Sequence, residues 1–313
     1  MTLTQINYFI TIAEMKSLNK AAEQLYVSQP SLTSAIKELE KELGVTLLHR
    51  GGRGVTLTND GIEFLLYAKQ IYGQYENVLE RYGKGGTYKR KFGVSTQHYS
   101  FAVKAFVDMA KAFDMSKYEF AIRETKTAEV IQDVSTMKSE IGVLYRSDFN
   151  RKFIDRLLKS LELRFHSLIE CQAYVYIWKN HPLAKEQSIC FKQLQDYPCL
   201  SFEQGDNSSF YFAEEILSTN EYPQVIKAND RATMLNLMVG LNGYTLCSGI
   251  ICEEINGSDY SAVPFRDDKQ NPNSVMEIGY ITKENTILSS MGELYVDKLK
   301  EYLYNNGEKA TQL

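Results

Sequence analysis

The stretch "LYVSQPSLTSAIKELEKELG", Leu25–Gly44, decides how this 313-residue chain is read. Both of its ends carry helix punctuation. Ser28 is a good N-cap, because its hydroxyl can accept from a free backbone N–H of the first turn. Pro30 falls in that turn, where a missing N–H costs nothing and a fixed φ helps. Gly44 closes the run as a C-cap glycine does. Between them Leu32, Ile36, Leu39 and Leu43 recur at helical spacing and predict one buried stripe. At about 100° per residue, the opposite face carries Pro30, Ser34, Lys37 and Lys41, with Gln29, Ser31 and Thr33 near its leading end. On an isolated helix such a face is ordinary solvated surface. The neighbouring segments give it another reading.

Upstream, "TQINYFITIAEM" (Thr4–Met15) predicts a helix with Ile6, Phe9, Ile10 and Ala13 facing inward. "SLNKAAEQLYVS" predicts a short helix capped by Ser17, with Leu18, Ala21, Ala22 and Leu25 inside. Small alanines permit a close crossing, and Tyr26–Ser28 is a turn of the length that helix-turn-helix units use. Downstream, "VTLLHRGGRGVTLT" reads as strand, Gly-rich turn, strand, with Arg50 and Arg53 at the tip. Three helices followed by a basic hairpin make a winged helix-turn-helix. In that arrangement the Ser28–Leu43 helix enters a DNA major groove and its leading side chains reach base edges. The hairpin arginines lie against phosphates or in the minor groove.

The run "FITIAEMKSLNKAAEQLYVSQPSLTSAIKELEKELGVTLLHRGGRGVTLTNDG" resembles the DNA-binding signature of LysR-type transcriptional regulators over roughly the first 60 residues, without a gap. Ala21-Ala22, Ser28-Gln29-Pro30-Ser31, Ile36, Leu39-Glu40, Leu43-Gly44, Leu47-Leu48, Arg50 and Thr56-Leu57-Thr58 sit where the family pattern places them. The resemblance implies DNA contacts from Ser28, Gln29, Pro30, Ser31, Thr33, Ser34, Lys37, Arg50 and Arg53. One position departs: the family usually carries a basic residue where this chain has Ser34. A short hydroxyl cannot make the bidentate guanine contact of an arginine, which shifts base reading toward Gln29, Ser31 or Lys37.

A chain of this length suits two or three domains, and 44% hydrophobic residues support sizeable cores. The formal net charge of −4 argues against nonspecific nucleic-acid binding by the chain as a whole, but it is unevenly spread. Residues 1–91 hold 12 Lys/Arg against 9 Asp/Glu, and the remainder holds 23 against 30. A basic head on an acidic body fits a DNA-binding end. The opening lacks the charged and apolar regions of a secretion signal, since Ile6–Ile12 is broken by Asn7 and Tyr8. No apolar run approaches the roughly 20 residues of a membrane span, so a cytoplasmic protein is expected. In such a protein the sequons at Asn207 and Asn256 mean nothing. Five cysteines (Cys171, Cys190, Cys199, Cys247, Cys252) with no Cys-x-x-Cys pair, and four scattered histidines, point to reduced thiols rather than zinc. Cys190 and Cys199 are near in sequence, but no basic residue is adjacent to either to favour a redox switch.

From Thr58, "TNDGIEFLLYAKQIYGQYENVLERYGKGG" predicts a longer helix. Its seam of Leu65, Ala68, Ile71 or Tyr72, Tyr75, Val78 or Leu79, and Tyr82 is of the kind that pairs with a second copy. The family resemblance implies an antiparallel linker-helix dimer. "GKGGT" lacks the spacing of a phosphate loop and reads as a hinge. Beyond Tyr88, strands such as "KFGVS", "YEFAIRE" and "EIGVLY" alternate with helical runs. That alternation predicts an α/β body with a largely parallel sheet. Ser167–Trp178 reads as one long strand, after which a second alternating set begins. The order of elements resembles the two-lobed LysR effector domain, similar in fold to periplasmic solute-binding proteins, with "NHPLA" (Asn180–Ala184) the clearest local match. The organisation expected is a winged head over 1–58, a linker helix and hinge over 59–88, and an effector domain over 89–313. Lobe I takes 89–166 and 268–305 and lobe II 167–267, joined near Phe165–Leu168 and Arg266–Asn273.

In open α/β sheets ligands sit where strands end and helix N-termini present free N–H groups. The candidate loops are Ser95-Thr96-Gln97-His98, Lys126-Thr127, Gly205-Asp206-Asn207-Ser208 and Asn229-Asp230-Arg231. The resemblance maps effector contacts to Thr96 and Thr127, then Gln97, Ser208 and Asn229, with Ser95 beside them. Helix-end sites with hydroxyls favour a small anion, with Lys126, Arg146 or Arg231 as counter-charge. No nucleophile elbow, metal cluster, dinucleotide fingerprint or Walker motif points to an enzyme or to a cofactor. A free-standing solute-binding protein and a purely architectural DNA-binding protein are the other readings. The expectation is therefore a sequence-specific transcription regulator. Its partners are double-stranded promoter DNA, a small anionic effector, a second and fourth copy of itself, and RNA polymerase if it activates.

Overall fold

The computed structural model describes residues 1–51, 54–82, 90–113, 118–205, 209–266 and 274–311, in two units, Met1–Gly86 and Thr87–Leu313. In the first, helices α1 (Leu3–Met15), α2 (Leu18–Gln24) and α3 (Gln29–Leu43) precede a hairpin of β1 (Leu48–Gly51) and β2 (Gly54–Leu57) and a long helix α4 (Asn59–Tyr82). Local chemistry sets the helix starts. The hydroxyls of Thr2, Ser17 and Ser28 accept from the amides of Gln5, Lys20 and Ser31, satisfying donors that a helix start leaves free. Gly44 ends α3 at φ 71°, a left-handed conformation that costs other residues about 1–2 kcal/mol. The core joins Ile6, Phe9 and Ile12 of α1 to Leu32, Ile36 and Leu39 of α3, all 2% exposed or less, with Ala21 and Ala22 letting α2 approach. Glu40 then ties the hairpin to α3, its Oε1 accepting from the amides of Leu47 at 2.8 Å and Leu48 at 3.1 Å.

Helix α4 starts where Thr58 accepts from the amide of Gly61 at 2.9 Å and donates to the Thr46 carbonyl at 2.6 Å. A Cβ on Gly61 would lie 2.1 Å from the Leu47 carbonyl oxygen, so the approach of α4 to the head requires glycine. The seam expected along α4 divides. Leu65, Ala68 and Tyr72 pack into the head's own core together with Phe64, which stands edge-on to Phe9 at 5.1 Å. Tyr67, Ile71 and Val78, on a different face, stay exposed. Periodicity alone does not separate them, because α1 supplies apolar surface to one side of α4 only.

The second unit runs β3 (Arg90–Thr96), α5 (Ser100–Lys111), β4 (Tyr118–Glu124), α6 (Thr127–Ser135), β5 (Ile141–Arg146), α7 (Arg151–Ser160), β6 (Leu163–Gln172), β7 (Tyr174–Trp178), α8 (Phe191–Leu194), β8 (Cys199–Phe202), β9 (Val225–Ala228), α9 (Arg231–Leu241), β10 (Thr245–Cys247), α10 (Glu253–Asn256), β11 (Tyr260–Pro264), β12 (Val275–Lys283) and α11 (Ser290–Thr311). One lobe is built on a five-stranded sheet of order β4-β3-β5-β12-β6, in which β3 runs parallel to β4 and β5 while β12 is antiparallel to its neighbours. The other lobe holds the antiparallel set β10-β7-β11 and the parallel pair β8-β9, joined by a parallel bridge between Cys199 and Tyr244.

The structure moves one boundary. Residues 167–172, expected in lobe II, remain in the first lobe, since β6 pairs with β12 from Leu163↔Lys283 to Gln172↔Val275. The single strand expected over Ser167–Trp178 is two strands in two sheets, and the chain changes lobe at Ala173. The sequence pattern changes there too. Exposed and buried positions mix along β6, as on a sheet edge with one wet side, whereas Tyr174–Ile177 are buried without interruption. The expected return crossing at Arg266–Asn273 lies, beyond Arg266, outside the described residues.

Candidate nucleic-acid interface and interlobe cleft

Burying one stripe of α3 turns the opposite face outward. Ser28, Gln29, Pro30, Ser31, Ser34 and Lys37 are exposed and Thr33 is half-buried. Part of the leading face is tied internally: the Ser28 and Ser31 hydroxyls are 2.7 Å apart, and the Gln29 amide donates to Thr33 at 3.3 Å. Lys37 and Ser34 carry no such tie among the bonds described. Arg50 is exposed on β1 and donates to Glu40 at 3.4 Å, so the carboxylate that anchors the hairpin also steadies its arginine. Arg53 lies outside the described residues. One residue escaped the sequence reading. Tyr26, in the turn before α3, is 96% exposed at φ 54°, a conformation uncommon for a bulky side chain.

In the body, the start of α5 faces the second lobe across a cleft of about 620 Å³, its mouth included. His98, Tyr99, Ser100 and Met276 line it from the first lobe; Tyr176, Phe202, Met234, Met238, Leu246 and Ile250 give the second lobe's side an apolar wall. Two adjacent carboxylates enter from the segment between β8 and β9. One Glu214 oxygen accepts from the His98 amide at 2.9 Å and lies 2.8 Å from its Nδ1; the other accepts from the Gln204 amide at 2.9 Å. The His98 ring stacks on Phe202 at 3.8 Å. Burial alone lowers the His98 pKa, but the hydrogen bond and charge of Glu214 outweigh it and hold the imidazole above its ordinary value. Glu215 accepts from the Phe202 amide at 2.7 Å, and burial, then the charge of Glu214, pushes its carboxyl up to about 8. Glu215 also lines a second hollow, open to solvent, beside β8 and β9. Arg231 reaches the cleft from the start of α9, donating to Glu124 at 3.1 Å and Asn256 at 2.8 Å. Thr245 is among the lining residues, and its hydroxyl is buried without a hydrogen-bond partner.

The residues mapped by resemblance fare differently. Gln97 and Thr127 come together and are sealed. The Gln97 amide donates to the Thr127 hydroxyl at 2.6 Å, which donates on to the Phe212 carbonyl at 2.8 Å. The Gln97 oxygen accepts from the Tyr145 amide and the Tyr99 hydroxyl. Thr96 is fully buried and its hydroxyl unpaired. Ser95 is a correction: its hydroxyl donates to Asp133 at 2.6 Å and meets Ser139 at 2.8 Å inside the first lobe, because alternate residues of a strand face opposite sides. Asn229 is exposed beside Asp230, which caps α9, and is not among the residues lining the cleft. Ser208 lies outside the described residues. Arg146 is committed to Glu277 and stacks on Phe165 at 3.8 Å. Of the three cations expected as counter-charge, Arg231 alone is among the residues lining the cleft, and it is already paired with Glu124. The sequence did hold a signal for the missed pair: "FAEEIL", two acids inside an apolar run.

All five cysteines are free, and burial pushes the Cys171, Cys199 and Cys247 thiols up to about 12, which leaves them unreactive. Among the described residues no group of three or more potential ligands would hold a metal ion, and no helix is long and apolar enough to cross a membrane.

A helix-turn-helix head followed by a two-lobed body with a lined cleft defines a DNA-binding regulator with a ligand-binding domain. Residues 3–62 match the model of the bacterial regulatory helix-turn-helix protein, lysR family, and residues 116–303 match the LysR substrate binding domain. The chain belongs to the LysR family of transcriptional regulators. It is 29% identical to the Hca operon transcriptional activator HcaR of Escherichia coli over 275 residues, 85% of this chain and 86% of that one. It is 27% identical over 247 residues, 77% of each chain, to the HTH-type transcriptional regulator AlsR of Bacillus subtilis. In fold it is similar to a full-length OxyR variant from Pseudomonas aeruginosa (TM-score 0.65, 17% identity, 100% and 98% of the two chains). It is similar also to full-length CbnR in complex with its target DNA (TM-score 0.52, 17% identity, 96% and 100%). The protein is a transcription regulator and not an enzyme.

The buried pair gives the body a pH dependence of definite sign. Glu215 binds its proton more tightly folded than unfolded, so its contribution is full below the unfolded pKa near 4.5 and is lost as pH rises through about 8. His98, also raised, acts in the same direction above its ordinary 6.5. Thermal midpoints of the full-length protein are expected to fall between pH 6 and pH 9, and Glu215→Gln to flatten the decline. An equally steep decline in the variant would remove Glu215 as its source.

Proposed function

We propose that this regulator reads a specific operator with the leading face of α3. Gln29, Ser31, Thr33, Ser34 and Lys37 address base edges, and Ser28 and Pro30 set the start of the helix against the backbone. Arg50 and Arg53 of the hairpin hold phosphates or the minor groove, and exposed Tyr26 adds a contact at the turn. Two chains pair through the faces of α4 that carry Tyr67, Ile71 and Val78, and pairs of dimers form tetramers in the cytoplasm. A small effector carrying an acidic group binds in the interlobe cleft, changes lobe closure, and thereby alters DNA bending and the access of RNA polymerase.

What supports the acidic effector is one observation: three donors, the His98 amide, the His98 ring and the Gln204 amide, converge on a single carboxylate beside an apolar cavity. The unpaired Thr245 hydroxyl offers a further contact for a polar group on the ligand.

The test is footprinting and DNA bending on fragments that the protein itself selects, with and without a panel of small mono- and dicarboxylic acids and their neutral amides. An acid is expected to shift the bend where its amide does not. A response to amides alone, or an unchanged bend with every compound, contradicts the reading. Lys37→Ala and Arg53→Ala are expected to weaken binding without unfolding the head, and loss of a phosphate contact lowers the salt slope by about 1. Parent-like affinity in both variants would mean that the wrong face has been assigned.

A further inference from the structure

The acidic side chain in the cleft sits where the proposed effector's own acidic group would go. Glu214 is 6% exposed and spans the lobes, with one oxygen shared between the amide and ring of His98 just ahead of α5. An anion there also meets the positive end of that helix. The segment that delivers Glu214 is anchored in the opposite lobe. Phe212 is buried against the α6–α7 side of the first lobe, and Tyr211 stacks between Phe149 and Phe153 at 4.8 Å from each. The chain thus crosses the cleft and covers Thr127 with the Phe212 carbonyl. An anion site whose donors are all taken by the protein cannot accept a second carboxylate unless the first leaves, since two like charges at one set of donors repel.

We propose that Glu214 is a tethered stand-in for the effector's acidic group: it fills the cleft's anion position, the effector binds by displacing it, and its removal leaves a site for a free small carboxylate. This rests on the reading of the cleft as the effector site. Displacement frees the segment that bridges the lobes, so occupancy of one anion position is linked to how the lobes are held. Thr245 is among the residues lining the same cavity and its hydroxyl is buried without a partner, where buried polar groups are ordinarily paired.

The experiment is chemical rescue of full-length Glu214→Ala with sodium formate, against sodium chloride at equal ionic strength. The variant is expected to melt below the parent, and formate to raise its midpoint saturably by a few degrees, as a ligand specific to the folded state does. The parent is expected to respond to formate no more than to chloride. Glu214→Ser opens the same position and covers the case in which the alanine variant does not fold. In it the peptide carrying His98 should exchange its amides faster than in the parent, and formate should restore protection. Overturning results are formate acting no differently from chloride on the variants, or acting equally on the parent. These outcomes are independent of the effector panel. Formate probes only the donors at His98 and Gln204, so rescue with no acidic effector found would leave this site standing and the effector reading fallen.

Discussion

Leu32, Ile36 and Leu39 have no exposed surface, and their burial against α1 fixes how α3 is turned about its axis. Everything proposed for the head follows from that rotation. A helix with one apolar stripe has one way to bury it, and in doing so α3 commits Ser31, Ser34 and Lys37 to the outside. Burying each of these side chains is worth about 1.5–3 kcal/mol, more than any single polar contact on the outer face. The reading face is therefore presented by the core and does not depend on DNA to be formed. Glu40 extends the same constraint to the hairpin through two backbone amides and the Arg50 side chain.

The body obeys a different logic. Its lobes are joined across the cleft by polar groups from a segment with little regular structure, and those groups are paired to one another. Gln97 with Thr127, Thr127 with Gln204, Gln204 with Glu214 and Glu214 with His98 form a chain of hydrogen bonds between the first lobe and the segment that crosses from the second. Such a network is strong while complete and costly when broken in part. A ligand that replaces one member therefore acts on the joint between the lobes as well as on its own contacts.

The winged head was legible because helix caps, a 3.6-residue repeat and a Gly-rich hairpin are local signals, and the family pattern lies over them. Much less of the cleft was. Ser95 and Thr96 are neighbours in sequence, but the strand turns one toward Asp133 and the other away. Glu214 meets His98 across more than a hundred residues, and no local spacing encodes such a pairing. The boundary at Ala173 was missed because a run of strand-forming residues does not show that its two halves pair in different sheets. The seam on α4 was read as one surface because its period is common to packing within a chain and packing between chains.

The most direct test of the central claim, that this chain is a sequence-specific regulator, is selection of genomic DNA fragments on the purified protein at low and high salt, followed by sequencing. A discrete set of fragments sharing an interrupted palindrome, retained at the higher salt, is the predicted result, because base contacts survive where counterion-driven binding weakens. Diffuse recovery that disappears at the higher salt would contradict it. That outcome would mean that α3, with Ser34 in place of a basic residue, holds DNA without reading it.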